Sequence, residues 1–131
     1  MKLDKSLFAT IAQDATHTDR LRKNFDLRDD ECEGCQRMLN ILLPGSKTPI
    51  HKHQDSSEVV VCISGTIRER LYNSEGREIE CVLLEAGGDC PGITIEKNQF
   101  HSLEATDVQG VVLSVKSGNY APLRGEDIII L

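Results

Sequence analysis

Several features that mark particular classes of protein are scarce in this chain. It has no tryptophan, and its aromatic residues are two tyrosines and three phenylalanines, so there is no obvious stacking platform for a sugar ring. Acidic residues outnumber basic ones by 21 to 15, and the formal net charge is -6. Nucleic-acid-binding domains usually carry a basic stripe, whereas the one dense basic cluster, at residues 20–23, is typical of a solvated helix face. We therefore predict no nucleic-acid partner.

Long apolar runs are also missing. No stretch approaches the roughly 20 apolar residues that are needed to span a bilayer. The first residues, Met1-Lys2-Leu3-Asp4-Lys5, lack the unbroken apolar segment of a secretory signal. These absences predict a cytoplasmic protein with no membrane partner. The length of 131 residues suits one domain with one core.

The five cysteines, at 32, 35, 62, 81 and 90, are an odd number, which argues against a complete disulfide framework. Cys62 and Cys81 lie in apolar runs, so we expect both to be buried. Cys32 and Cys35 form a CxxC pair. A structural zinc site usually needs four ligands, and a redox pair should open a helix, but this pair precedes a predicted strand. We interpret it as an inert loop; both thiols at a helix N-terminus would favour the redox alternative.

The N-terminal region has helical periodicity. Apolar residues recur on one face of residues 3–15, and Asp4 can cap the start of that helix. A second short helical turn is predicted for residues 19–24, with Thr18 as its cap. We therefore predict an N-terminal helical segment over residues 1–30.

From residue 36 onward the pattern becomes that of β-strands. Short runs rich in β-branched residues alternate with turn signals such as Asn73-Ser74-Glu75-Gly76, which is typical of an all-β sandwich or barrel. We predict a barrel over residues 36–117. The tail, residues 118–131, ends in an apolar run at 128–131 that we expect to pack on the barrel or on a partner subunit. The predicted strands are 36–43, 50–53, 58–64, 66–72, 77–84, 92–95, 100–105 and 111–116.

Three histidines and one glutamate in the β region form a candidate metal site. His51 and His53 are two residues apart on an extended segment, so both imidazoles share one face. Glu58 follows a polar loop at the start of the next strand, and His101 comes from a distant strand. Asn98 precedes His101 in a tight turn, where Asn tolerates the left-handed conformation. Because imidazole and carboxylate suit Zn, Fe, Mn and Ni ions, we predict one divalent metal ion; the alternative is an empty or water-filled site.

The spacing of this site resembles the first motif of the cupins. Gly45, His51, His53, Glu58 and Gly65 stand at the intervals of that motif. The resemblance implies a jelly-roll barrel, or double-stranded β-helix, that binds a metal. The fold class predicted for this chain is therefore an all-β cupin jelly roll with a short N-terminal α-helix.

The second cupin motif is matched less fully. His101 keeps the place of its histidine, while Glu96 and Asn98 stand where that motif carries Pro and Gly. Segments 20–24, 36–40 and 115–120 resemble the WbuC-type cupins over nearly the whole chain. That family consists of cupin-fold metalloproteins found with polysaccharide (O-antigen) gene clusters, and it implies no established reaction.

Other polar residues are candidates for a substrate pocket. Gln36, Met38 and Asn40 share one face of a strand, where Gln36 and Asn40 could bind a sugar or a carboxylate; the alternative is a set of structural hydrogen bonds.

Arg68 and Tyr72 share a face of another strand, which could line the pocket mouth or face solvent. The same two interpretations apply to Lys116 and Tyr120.

Two functions are compatible with these patterns. One is a metal-dependent enzyme that acts on a small polar molecule such as a sugar derivative, with Glu58 as a ligand or a general base. The other is a non-catalytic small-molecule-binding or regulatory module. We also predict a homodimer, because a small barrel has exposed sheet edges and its apolar tail needs to be covered.

Overall fold

Two five-stranded antiparallel sheets lie face to face in the computed structural model, which describes residues 1–118 and 121–130. One α-helix, α1, covers the outer face of the first sheet, and a short 3₁₀ turn precedes the last strand. The elements are α1 Lys5–Thr16, β1 Arg22–Asp26, β2 Cys35–Leu42, β3 Ile50–His51, β4 Glu58–Ser64, β5 Thr66–Tyr72, β6 Glu78–Glu85, β7 Gly92–Ile95, β8 Phe100–Ala105, β9 Gly110–Ser117, the 3₁₀ turn Gly125–Asp127 and β10 Ile128–Ile129.

The strand order in both sheets is that of a jelly roll, in which neighbours in space are often distant in sequence. The first sheet has the order β1-β2-β9-β4-β7, and the second has β10-β3-β8-β5-β6. Apolar residues from the inner faces of both sheets form one core. Because side chains alternate between the two faces of a strand, each strand sends one set of residues into this barrel. The core residues are Leu42, Val60, Cys62, Ile67, Leu84, Leu103, Ala105 and Val112.

Helix α1 forms where its apolar periodicity predicts. Asp4 caps it, since the Asp4 carboxylate accepts a hydrogen bond of 3.0 Å from the backbone N–H of Leu7. The buried face, which includes Phe8 and Ile11, packs on Leu39 and Ile41 of β2. The outer face of β2 is therefore a second apolar core rather than a solvated surface.

The second helical turn, predicted for residues 19–24, is wrong. Residues 22–26 form strand β1, which pairs with β2 along its whole length. Leu21 has a positive φ of 55°, a conformation that interrupts a right-handed helix. The strand is stabilised by tertiary pairing, which local helical periodicity does not report. The helical part of the N-terminal segment thus ends at Thr16.

Four strands have the bounds that the sequence predicts: 58–64, 66–72, 92–95 and 100–105. The hairpin turn between β5 and β6 is also confirmed, because the Asn73 side chain accepts hydrogen bonds from the backbone N–H groups of Glu75 and Arg77. Cys62 is buried as expected, but Cys81 is exposed. Strand β6 lies at the edge of its sheet, and Cys81 lies on the face that points away from the barrel.

The C-terminal segment packs on the barrel. Strand β10 pairs with β3, and Ile129 contacts an apolar cluster of Ile50, Tyr72 and Phe100 on the outside of the second sheet. Leu131 and residues 119–120 lie outside the described residues. Within the described part of the chain, no helix has the length and apolar character of a membrane span.

The CxxC pair lies where an exposed loop meets the start of β2. Both Cys32 and Cys35 are exposed, and Cys35 begins that strand. Neither thiol stands at the N-terminus of a helix, so the structure gives the redox alternative no support.

Candidate metal centre

The three histidines of the predicted site come together on the inner side of the second sheet. His51 in β3 is the register partner of His101 in β8, and the centroids of their two rings are 4.4 Å apart. His53 follows two residues after His51, and its ring centroid lies 5.1 Å from that of His51 and 5.6 Å from that of His101. One nitrogen from each ring can be chosen so that all three lie within 4.8 Å of one another. A single metal ion could bind all three.

Hydrogen bonds hold the rings of His51 and His101 through Nδ1, which leaves Nε2 of each ring available to a metal ion. His51 Nδ1 donates to the carbonyl oxygen of Pro49 at 2.8 Å, and His101 Nδ1 donates to Glu69 Oε1 at 2.8 Å. In a neutral imidazole the other nitrogen, Nε2, then carries the lone pair. His101 Nε2 is buried and has no hydrogen-bond partner among the described residues. Both rings are therefore held in the tautomer that a metal ligand requires.

Glu58 approaches the histidines from the opposite sheet. It is the first residue of β4, and its Oε1 lies 3.7 Å from His101 Nε2. Its Oε2 accepts a hydrogen bond from the Ser114 hydroxyl and lies 3.8 Å from Lys116 Nζ. Burial opposes its charge, but His101, Lys116 and the Ser114 hydrogen bond together hold the Glu58 pKa below its ordinary value. Glu58 thus lies beside His101 at the histidine cluster, across the space between the two sheets.

The pKa values favour neutral imidazoles. Burial, followed by the nearby His101, lowers the pKa of His51 to about 4. Burial and the charge of Lys116 lower the pKa of His53 to about 4. Burial also lowers the pKa of His101. Because only a deprotonated imidazole can bind a metal, near neutral pH the three rings are in the form that binds.

Glu69 is a functional residue that the sequence interpretation missed. It is fully buried in β5 and holds His101 through the 2.8 Å hydrogen bond. Burial and the charge of Glu58 raise the pKa of Glu69 well above its ordinary value. Its position in the sequence could have identified it, because Glu69 lies between Ile67 and Leu71 on the apolar face of its strand. An isolated acid at such a position indicates a specific buried partner.

The candidate site opens into a cavity of about 780 Å³ between the sheets. Gln36 and Asn40, both predicted as pocket residues, line it from β2, and Lys116 lines it from β9. Small-molecule sites commonly have volumes of roughly 300–1,000 Å³. The cavity is therefore large enough for a small ligand beside the four candidate ligands.

The placement of Arg68 and Tyr72 in this pocket is wrong. Both lie on the outer face of the second sheet, because Ile67 and Glu69 take the inward positions of β5. Tyr72 is buried in the outer apolar cluster, and its hydroxyl lies 2.9 Å from Ser102 Oγ. Alternation identified the shared face correctly but could not show which side faced the cavity. Tyr120 lies outside the described residues.

Two unusual backbone positions explain how the motifs fold. Gly65 has a φ of 68°, and a Cβ there would lie 2.1 Å from the carbonyl oxygen of Gln109. Only glycine fits this turn between β4 and β5. Asn98 has a φ of 63° and takes the place of the second motif's glycine in the turn before His101. Its backbone N–H donates to the carbonyl of His53, which ties that turn to the histidine loop.

The family model DUF6016, described as a domain of unknown function, matches residues 3–84. The chain belongs to the DUF6016 family. The matched region runs from α1 into β6 and contains His51, His53, Glu58 and Glu69. A search of curated proteins found no match to this DUF6016 chain.

Several solved structures share the cupin fold of this DUF6016 protein. CapF, solved with the inhibitor 3-isopropenyl-tropolone, is 21% identical with a TM-score of 0.67 over 80% of this chain and 30% of CapF. TT1209 from Thermus thermophilus is 17% identical with a TM-score of 0.65 over 90% of this chain and 98% of TT1209. Oxalate decarboxylase of Bacillus subtilis, studied for its Mn(II) centres, is 19% identical with a TM-score of 0.61 over 77% of this chain and 26% of that protein.

These likenesses confirm the predicted jelly-roll barrel. At such identities they establish the fold and not the activity. The chain spans less than a third of the length of CapF and of the decarboxylase.

Proposed function

We propose that this DUF6016 protein is a metal-binding cupin that holds one divalent ion through His51, His53, Glu58 and His101. One observation carries the proposal: three imidazole nitrogens from two strands and a loop lie within 4.8 Å of one another at the wall of a cavity. Buried polar groups are costly unless they are paired. A shared ion would pair the orphaned Nε2 of His101 and the two neighbouring rings at once.

The donor set limits the choice of ion without naming it. Neutral imidazole and carboxylate suit Zn²⁺, Fe²⁺, Mn²⁺ and Ni²⁺, and cellular supply contributes to the selection. The Mn(II) centres of the structurally similar oxalate decarboxylase support a divalent ion here. A bound ion would supply Lewis-acid chemistry or lower the pKa of a bound water.

We further propose that the centre is catalytic and acts on a small polar molecule. An enzyme needs a titratable group beside the metal that is not itself a ligand, and Lys116 is such a group, with Nζ 3.8 Å from Glu58. The WbuC-type assignment, with a sugar derivative of polysaccharide biosynthesis as substrate, belongs to this proposal and is supported by the sequence resemblance.

The metal content of the purified protein tests the centre. We expect the wild type to retain a divalent ion, and His51→Ala and His101→Ala to lose it. His17 is the fourth histidine and lies exposed after α1, so His17→Ala is the matched control and should keep the ion. Elemental analysis that finds no metal in the wild type, and none taken up on addition, would overturn the proposal.

The homodimer stays a proposal. Strand β6 is an edge strand, and Ile79 and Leu83 on its outward face are 60% and 42% exposed. Unpaired edges with exposed apolar side chains are usually covered in native proteins. A second copy on this edge would cover them.

A further inference from the structure

Several cationic side chains line the cavity, and Lys116 is the one beside the metal centre. Lys116 projects from β9 with its Nζ 3.8 Å from Glu58 Oε2, and its side chain is only 17% exposed. A divalent ion bound beside Glu58 would already exceed the single negative charge of that carboxylate, so the charge of Lys116 would be left without compensation. An uncompensated, nearly buried ammonium group beside a metal favours an anionic ligand.

Further cations line the cavity. Arg20 and Arg22 both lie in its wall, although the chain as a whole has a net charge of -6. Burial, followed by repulsion from the charge of Arg20, lowers the pKa of Arg22. An anion in the cavity would relieve this repulsion.

The acidic residues of the wall do not offset these charges fully. Asp127 is already engaged, because its carboxylate accepts hydrogen bonds from the Gln54 side chain and from the Arg124 backbone. Asp55 lies exposed in the wall. Glu58 belongs to the proposed metal centre. The cavity wall thus retains an excess of positive charge.

One polar atom in the wall points to a second feature of the ligand. Asn40 Oδ1 is buried and has no hydrogen-bond partner among the described residues. Buried acceptors are nearly always paired. A hydroxyl group on the ligand would supply the donor that this oxygen needs.

We propose that the cavity binds a small hydroxylated oxyanion, whose anionic group lies between the metal centre and Lys116 and whose hydroxyl donates to Asn40. This inference rests on the proposed function, because it names the class of ligand that the same centre would take. Carboxylates and phosphates share the required chemistry. Lys116 and Asn40 are then specificity-determining residues.

The test uses the full-length protein loaded with Mn²⁺, with metal content measured before each titration. Calorimetry compares glycolate with glycolamide, which has nearly the same shape and no charge, and then with inorganic phosphate. Lys116→Met removes the charge and keeps most of the side chain, and Lys116→Arg restores the charge. Lys5→Met is the matched control, because Lys5 lies exposed at the start of α1.

We expect Lys116→Met to lower the affinity for the anion that the wild type binds by about tenfold or more, since charge-assisted hydrogen bonds are strong. Lys116→Met should change the affinity for glycolamide by less than about twofold, and Lys5→Met should change the affinity for the anion by less than about twofold. Lys116→Arg should recover part of the affinity for the anion. Removing a cation beside the metal should leave Mn²⁺ retention unchanged or raise it, which a folding defect would not do. Lys116-dependent glycolate binding assigns a carboxylate, and Lys116-dependent phosphate binding assigns a phosphate.

If the loaded wild type binds neither anion, or if Lys116→Met binds both as well as the wild type does, the inference is overturned while the metal centre stands. If the wild type takes up no Mn²⁺ or other divalent ion, the proposed function itself is overturned.

Discussion

Replacing Glu69 with Gln tests how the protein positions His101. Gln has the same shape, and its amide oxygen can still accept the hydrogen bond that His101 Nδ1 donates at 2.8 Å in the wild type. The variant therefore keeps the tautomer and removes the buried carboxylate behind the ring. Loss of such a partner behind a metal-binding histidine typically weakens metal affinity by about 10- to 100-fold. This corresponds to about 1.4–2.7 kcal/mol.

Competition for Mn²⁺ or Zn²⁺ against a chelating dye measures this change. Glu104→Gln is the matched control, because Glu104 lies on the same strand pairing but bonds to Arg70 on the outer face. Burial, followed by the charge of Glu58, raises the Glu69 pKa, which means that the charged carboxylate is costly to bury in the metal-free protein, and Gln removes that cost. The metal-free variant should consequently be no less stable than the wild type. An affinity for metal within about twofold of the wild type would refute the role assigned to Glu69.

Three further predictions address the titration, the turn and the assembly. In the metal-free Glu69→Gln background, the free energy of unfolding should fall as the pH drops from about 6.5 to about 4, because the unfolded chain protonates His51 and His53 while the folded chain does not. Urea titrations should measure a loss of up to about 3 kcal/mol from His51. A free energy of unfolding that does not change over this pH range would contradict the lowered pKa values. Gly65→Ala should destabilise the protein by more than about 1 kcal/mol, since its Cβ would meet Gln109; an unchanged urea midpoint would show that the turn can relax. Light scattering should find a dimer that Ile79→Lys weakens, and a monomer at high concentration would refute the proposed assembly.

The sequence predicts where the candidate ligands lie because their positions follow from strand periodicity. His51 and His53 share a face by the two-residue repeat of a strand, and Glu58 begins a strand whose bounds are clear from its β-branched run. The turn before His101 is likewise local, and Asn98 adopts the positive φ that its residue type favours. Features that depend on neighbouring residues in the chain are thus recovered.

Features that depend on tertiary pairing are not recovered in the same way. Strand β1 exists because β2 pairs with it, although its own residues suggested a helical turn. Alternation placed Arg68 and Tyr72 on one face but left open which face lined the cavity. Glu69 could have been recognised as an acid on an apolar face, but its partner His101 is 32 residues away, and only the pairing of β5 with β8 brings the two together.

X-ray absorption on the metal-loaded protein tests the central claim most directly, because it counts the nitrogen and oxygen atoms bound to the ion. The account predicts scattering from three imidazole rings in the wild type, and from two in His53→Ala if that variant retains the ion. A coordination shell without imidazole scattering, or one that His53→Ala leaves unchanged, would contradict the account.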